Sequence, residues 1–193
     1  MSSIVEVVNL AFVKLGVKRI TSIDEATEPA RAAKSIFNII RGAELRANPW
    51  AFACKTVRLG TTDEEIIDRW PYVYLFPADY LALVQVGDRW AFNSSECPEW
   101  HVENGRLYSD LGPPLVFRYV RRVTEASKFD SLFSVSLACR LAYELCEQLT
   151  QATGKRQLAA ADRNEAIATA LMSNAIERPP QRISDGSWIT ERA

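Results

Sequence analysis

His101 is the side chain best suited by type to acid–base chemistry. It is the one histidine in the sequence, and it follows Trp100 in a segment that is typical of a β-strand. A positioned histidine can act as a general base. Without a partner group that the sequence identifies, a hydrogen-bonded or solvated strand residue is the favoured interpretation.

A short polar stretch contains four carboxylates: Asp63, Glu64, Glu65 and Asp68. Two carboxyl groups are enough for a glycosidase. However, little apolar sequence surrounds these residues to bury a carboxyl and raise its pKa, so a solvated loop or the start of a short helix is favoured. The sequence also contains no GxSxG, HExxH, P-loop or GxGxxG motif. We therefore expect no catalytic site and a protein that is not an enzyme.

The cysteines do not have the spacing of a metal site. Cys54, Cys97, Cys139 and Cys146 form no CxxC pair and have no histidine at metal-ligand spacing. Cys139 and Cys146 lie seven residues apart in a predicted helix, so both are expected to face a core as small hydrophobic side chains. We expect neither a metal nor a cofactor.

Aromatic side chains are concentrated in the middle of the chain: Trp70, Tyr72, Tyr74, Phe76, Tyr80, Trp90, Phe92, Trp100 and Tyr108. They could stack on a sugar or on single-stranded nucleic acid. The alternative is a core, because a small sheet needs large side chains to bury apolar surface. Tyr72, Tyr74 and Phe76 alternate as on one face of a strand, and we favour the core.

Three arginines, Arg118, Arg121 and Arg122, form a basic cluster in the sequence. Guanidinium groups bind phosphate and also form ion pairs at protein interfaces. Both interpretations remain open. A nucleic-acid site here would bind with a steep dependence on salt concentration.

The composition excludes several classes of protein. The 193 residues suit one large domain. The 23 basic and 24 acidic residues give a net charge of −1, which excludes a basic nucleic-acid arm or an acidic disordered tail as a description of the whole chain. The N-terminus does not resemble a signal peptide, and no apolar run approaches the roughly 18 residues of a membrane span. We expect synthesis in a cytosol and no membrane partner.

Four helices are predicted, in two pairs. Apolar spacing predicts the first over residues 4–15, with Ser3 and Glu6 as a capping box and Gly16 as its end. The second spans 29–47, ends at Asn48-Pro49, and has one apolar side formed by Ala33, Ile36, Phe37, Ile40, Ala43 and Ala47, with Glu44 as its only charged member.

The third helix is predicted over 131–151 with Asp130 as its N-cap. It is apolar around most of its circumference, so it is expected to be buried on nearly all sides and to contact other helices. A fourth helix over 155–176 carries apolar positions that are expected to pack in the bundle: Leu158, Ala161, Ile167, Ala168, Leu171 and Ala175.

Short apolar runs broken by Gly, Pro, Asn and Asp occupy the region between the two helix pairs. They predict one small antiparallel sheet, with a hairpin turn at Asn104-Gly105. The fold class is therefore α+β, mainly α. It divides into bundle helices over 1–49, an inserted β region over 50–128, bundle helices over 129–176 and an extended C-terminal arm over 177–193.

Five stretches together resemble the tail tubular protein A family of tailed bacteriophages, which are head-to-tail adaptor ring proteins. The first is residues 9–16 with 19–22, and the second is 46–53 around Asn48-Pro49-Trp50. The third is 74–81 with Pro77-Ala78-Asp79. The fourth is 105–110 with 118–120, 122–124 and 129–130, and the fifth is Pro179-Pro180 with Ser187-Trp188. Their order and spacing match over nearly the whole chain.

The resemblance implies a structural virion protein located at the head–tail interface. About twelve copies would form a ring that joins the portal protein to the downstream tail tube or nozzle protein, and DNA would pass through the channel without sequence-specific binding. The C-terminal arm would order on the portal, through Arg178, Arg182, Trp188, Ile189 and Arg192. A frayed terminus is the alternative for the arm. A carbohydrate-binding or polysaccharide-hydrolysing tail component is the alternative function.

Overall fold

The computed structural model describes residues 3–62, 69–91 and 100–177. Within them the chain forms four α-helices: α1 (Ile4–Leu15), α2 (Glu28–Ala47), α3 (Ser131–Thr150) and α4 (Thr153–Ile176). The seven strands are β1 (Cys54–Leu59), β2 (Tyr72–Leu75), β3 (Tyr80–Val86), β4 (Arg89–Trp90), β5 (Trp100–Glu103), β6 (Arg106–Ser109) and β7 (Leu115–Arg121). The predicted α+β class, with helices predominating around an inserted β region, is confirmed.

Local signals fix the ends of α1 as predicted. The Ser3 hydroxyl accepts a hydrogen bond from the Glu6 backbone N–H, and the Glu6 carboxylate accepts one from the Ser3 N–H. Gly16 ends the helix at a φ of +71°, a left-handed conformation that glycine adopts without steric cost. The Asn9 side chain then bonds both the N–H and the C=O of Ile20, each at 2.8 Å, so the turn after α1 is tied back onto the helix.

The buried side of α2 differs from the predicted one. Ala33 and Phe37 are buried as expected, whereas Ala43 and Ala47 are exposed. Arg41 and Leu45 are buried in their place. The prediction counted arginine as polar, but the long apolar stem of an arginine packs readily in a core. The buried side is therefore rotated toward Arg41 and Leu45.

The β region contains two antiparallel sheets rather than the one predicted. The first has the strand order β1-β7-β3-β4, and the second has the order β2-β6-β5. The hairpin between β5 and β6 is confirmed, with Asn104 at a φ of +46° and Gly105 at +72°. A single small sheet would leave one apolar face uncovered, and the second sheet covers it.

Alternation along β7 places the first sheet between the helices and the second sheet. Val120 belongs to the helical core, which α1, α2 and α3 share. Phe117 and Tyr119, on the other face of the strand, belong to a second core together with Tyr74 and Leu107 of the second sheet. Register shifts in β3 allow that strand to contribute Val84 to the helical core and Val86 to the second core.

The central helix α3 is buried on nearly all sides, as predicted. It begins at Asp130, whose carboxylate accepts hydrogen bonds from the N–H groups of Leu132 and Phe133. Ten of its residues are buried, including Leu137, Leu141 and Leu145. α1, α2 and α4 all pack against it.

The prediction for α4 was wrong for four of its six apolar positions. Leu158, Ala161, Ala168 and Ala175 are exposed, and only Ile167 and Leu171 are partly buried. The physical reason is that α4 turns one side toward α3, the side that contains the buried Ala159 and Ala170. The opposite side faces solvent.

Candidate protein-interaction surface

Two groups of predicted residues lie outside the described part of the chain. One is the C-terminal arm, with Arg178, Arg182, Trp188, Ile189 and Arg192. The other is the acidic group formed by Asp63, Glu64, Glu65 and Asp68. The roles considered for both groups stay predictions.

His101 is an exposed residue of β5. Its side chain is 54% exposed, and Nε2 lies 3.5 Å from a carboxylate oxygen of Glu103 two residues along the strand. Its ring lies 6.4 Å from the ring of Tyr108 on the neighbouring strand. The favoured interpretation, a solvated strand residue, agrees with this placement.

The described aromatic side chains of the β region form a core rather than an exposed platform. Tyr74 is fully buried, and Trp70 is 5% exposed. Tyr72, Phe76, Tyr80 and Trp100 pack against the second core, where the Phe76 and Tyr80 rings stack at 4.0 Å. The Trp90 side chain and Phe92 lie outside the described part.

The three clustered arginines do not form one patch. Arg118 and Arg121 are three residues apart on β7, so their side chains leave opposite faces of the sheet. Arg122 follows the strand, and its backbone N–H donates to the Asp79 carbonyl at 2.6 Å. A continuous phosphate-binding surface at these residues is therefore not formed within one subunit.

Cys139 and Cys146 are buried in the core as predicted, and burial raises the pKa of the Cys139 thiol. Over residues 3–62, 69–91 and 100–177, no three His, Cys, Asp or Glu side chains come together as metal ligands. In the same ranges, no helix combines the length and apolar character that crossing a membrane requires.

The most unusual surface of the described chain is the solvent-facing side of α4. Six of its residues are apolar and exposed: Leu158, Ala161, Ala168, Met172, Ala175 and Ile176. At 100° per residue they fall within about 100° of the helix circumference and extend over about 27 Å. We call this surface the α4 outer stripe.

Large side chains dominate the two ends of the α4 outer stripe. Leu158 is 70% exposed near the start, while Met172 and Ile176 are 73% and 86% exposed near the end. Glu165 is the one charged residue that lies within the same side of the helix. Isolated apolar residues are common on protein surfaces, whereas a contiguous apolar stripe indicates a contact surface.

A groove continues this surface toward α1. The Lys14 ammonium group and the Asp162 carboxylate form an ion pair at 2.7 Å across it, and the hydrogen bond to Asp162 is the main cause of the raised pKa of Lys14. Depressions of about 160 and 280 Å³ flank the pair, and Leu158 lines the smaller one. The groove thus joins an apolar stripe to an ion pair, as in the core and rim of many protein interfaces.

Comparison with known proteins adds no family assignment. No protein-family model matches the chain, and the search of curated proteins found no similar protein. The α4 outer stripe therefore rests on the geometry of this chain alone.

Sequence reasoning identified most residues of the α4 outer stripe but assigned them to the wrong environment. Periodicity shows that a helix has apolar positions on a given side. It does not show which side the rest of the subunit covers. The available signal was that Leu158, Met172 and Ile176 lie on the side opposite Ala159 and Ala170, which means that α4 has two apolar sides.

Proposed function

We propose that the protein is a structural virion component, the head-to-tail adaptor of a tailed bacteriophage. About twelve copies form a ring between the portal protein and the tail tube or nozzle protein, and DNA passes through the channel. The observation that carries this proposal is the α4 outer stripe. A helix with a second apolar side exposed along about 27 Å is suited to burying that side against another polypeptide.

A closed ring requires two different surfaces on each subunit, because each copy contacts its two neighbours with opposite faces. The α4 outer stripe is one candidate. Ile39 on α2 is 70% exposed and is followed on the same side by the exposed Ala43, so α2 offers a second apolar position. Burial of both would place large apolar side chains at the centre of a subunit contact.

The resemblance of the sequence to the tail tubular protein A family supports the choice of a ring adaptor over other assemblies. The family implies a helical bundle with an inserted β region, and the described chain has that architecture. The copy number of about twelve comes from the resemblance.

The charge balance also supports a DNA channel. A net charge of −1 avoids the strong attraction to phosphates that would hold DNA in place. The division of the three clustered arginines between different faces has the same consequence, since it separates their charges.

Native mass spectrometry and negative-stain imaging test the proposal directly. The protein is measured alone and mixed with the portal protein of the same phage. We expect a ring of about twelve copies that stacks coaxially on the portal. A protein that stays monomeric in the presence of the portal would refute the adaptor function.

A further inference from the structure

Arg41 is a buried cation without a carboxylate partner among the described residues. It is 8% exposed, and its Nε has no hydrogen-bond partner. One terminal nitrogen donates to the Thr124 carbonyl at a long 3.3 Å, and the guanidinium lies 5.8 Å from the centre of the Phe37 ring. A buried charge normally has a counter-charge and satisfied hydrogen bonds, because removing it from water is costly.

A second cation lies beside it. The chain leaving β7 passes the Arg41 guanidinium, as the Thr124 contact shows, and this segment includes Arg122. Burial and then the nearby charge of Arg122 lower the pKa of Arg41. Arg122 itself is exposed. Two like charges at this distance repel each other unless an anion joins them.

The nearby carboxylates in the described ranges are engaged elsewhere. Glu44, one turn after Arg41, faces Arg140 at 3.7 Å. Glu125 pairs with Lys128 at 2.7 Å. Asp79 accepts a hydrogen bond from the Tyr119 hydroxyl at 2.7 Å. The described residues therefore supply two guanidinium groups with free donors and no acid between them.

We propose that Arg41 and Arg122 form a binding site for one small oxyanion. The planar guanidinium of Arg41 offers its unpartnered Nε and a terminal nitrogen as a fork, the arrangement that matches two oxygens of a phosphate or a carboxylate. Arg122 covers the same anion from the solvent side. The buried position of Arg41 restricts the site to a compact group. A duplex backbone would contact Arg122 without reaching the Arg41 Nε.

Thermal unfolding of the full chain tests the site. The melting temperature is compared in chloride and in inorganic phosphate at equal ionic strength and pH 7. Phosphate at about ten times its dissociation constant is expected to raise Tm by about 3–6 °C. A parallel series with acetate identifies the source of the anion. A rise with phosphate alone indicates a phosphate ligand, and an equal rise with acetate indicates a carboxylate.

Three variants decide whether the two arginines are responsible. Arg122→Gln, at an exposed position, should fold normally and lose the rise. Arg41→Lys keeps the charge without the planar fork and should reduce the rise. Arg31→Gln, an exposed arginine ten residues earlier on α2, is the control and should keep it.

The proposal is overturned by equal melting temperatures in chloride, phosphate and acetate, or by a rise that Arg122→Gln retains. Binding of a duplex oligonucleotide that depends on Arg122 but not on Arg41, without an effect of either small anion, would also overturn it. If Arg41→Lys does not fold, Arg122→Gln still gives the decisive result. None of these outcomes depends on ring formation, so the site and the adaptor function are tested separately.

Discussion

Replacing the three large side chains of the α4 outer stripe with glutamine should prevent assembly and leave the subunit folded. Fully burying a Leu, Ile or Met side chain contributes about 1.5–3 kcal/mol. Leu158, Met172 and Ile176 have 70%, 73% and 86% of their surface available for burial. If a subunit contact covers all three, their loss should weaken that contact by about 3–7 kcal/mol. This corresponds to roughly a hundredfold to a hundred-thousandfold in the dissociation constant.

The same substitutions should have little effect on the isolated subunit. Glutamine has a high helix propensity, and exposed side chains contribute little to the free energy of unfolding. The assay is sedimentation velocity of wild type and triple variant with the portal protein, together with thermal unfolding of each subunit alone. Leu75→Gln is the matched control, because Leu75 is 49% exposed on β2, away from α4. Assembly of the triple variant at wild-type concentrations would refute the assignment of the stripe. Loss of assembly in Leu75→Gln as well would make the effect non-specific.

Three further predictions concern other parts of the chain. Asn9→Ala removes both hydrogen bonds that tie α1 to the following turn, so urea denaturation should show a loss of about 1–3 kcal/mol in the free energy of unfolding; an unchanged midpoint would contradict it. Burial, opposed by Arg140, raises the pKa of Glu44 above its ordinary value of 4.5, so the native state binds this proton more tightly than the unfolded chain does. The stability contribution of Glu44 therefore falls as pH rises from about 4.5 through the raised value. Glu44→Gln should flatten that decline in urea titrations between about pH 4 and 7 and raise the free energy of unfolding at pH 7; parallel curves for both proteins would exclude the effect. Deleting residues 177–193 should abolish binding to the portal in a pull-down and leave the melting temperature unchanged, and wild-type binding by the truncated chain would remove the role of the arm.

Features set by neighbouring residues could be predicted from the sequence. The capping box of Ser3 and Glu6, the N-cap of Asp130 and the hairpin turn at Asn104-Gly105 all depend on contacts within four residues. The position of each α-helix followed from the same local signals. These interactions form in the same way whatever surrounds them, so one sequence is enough to find them.

Features that depend on distant partners could not be predicted. The rotation of α2 is decided by packing against α3 and the first sheet, which buries Arg41 and exposes Ala43. The division into two sheets is decided by β6, which pairs with β2 more than thirty residues earlier in the chain. Arg41 joins Arg122 across 81 positions, and no spacing in the sequence connects them. A pattern records which residues are apolar, whereas their partners depend on the whole fold.

The helix α4 shows why this limit matters for function. Its apolar positions lie on two sides, and α3 covers only the side that contains Ala159 and Ala170. A sequence that needed only α3 as a partner would gain solubility from polar residues at 158, 172 and 176, since a large exposed apolar patch promotes association. The chain has Leu, Met and Ile there instead. Because exposed apolar surface of this extent stabilises nothing within the subunit, its benefit must come from a contact outside it, and the α4 outer stripe is where we expect that contact to form.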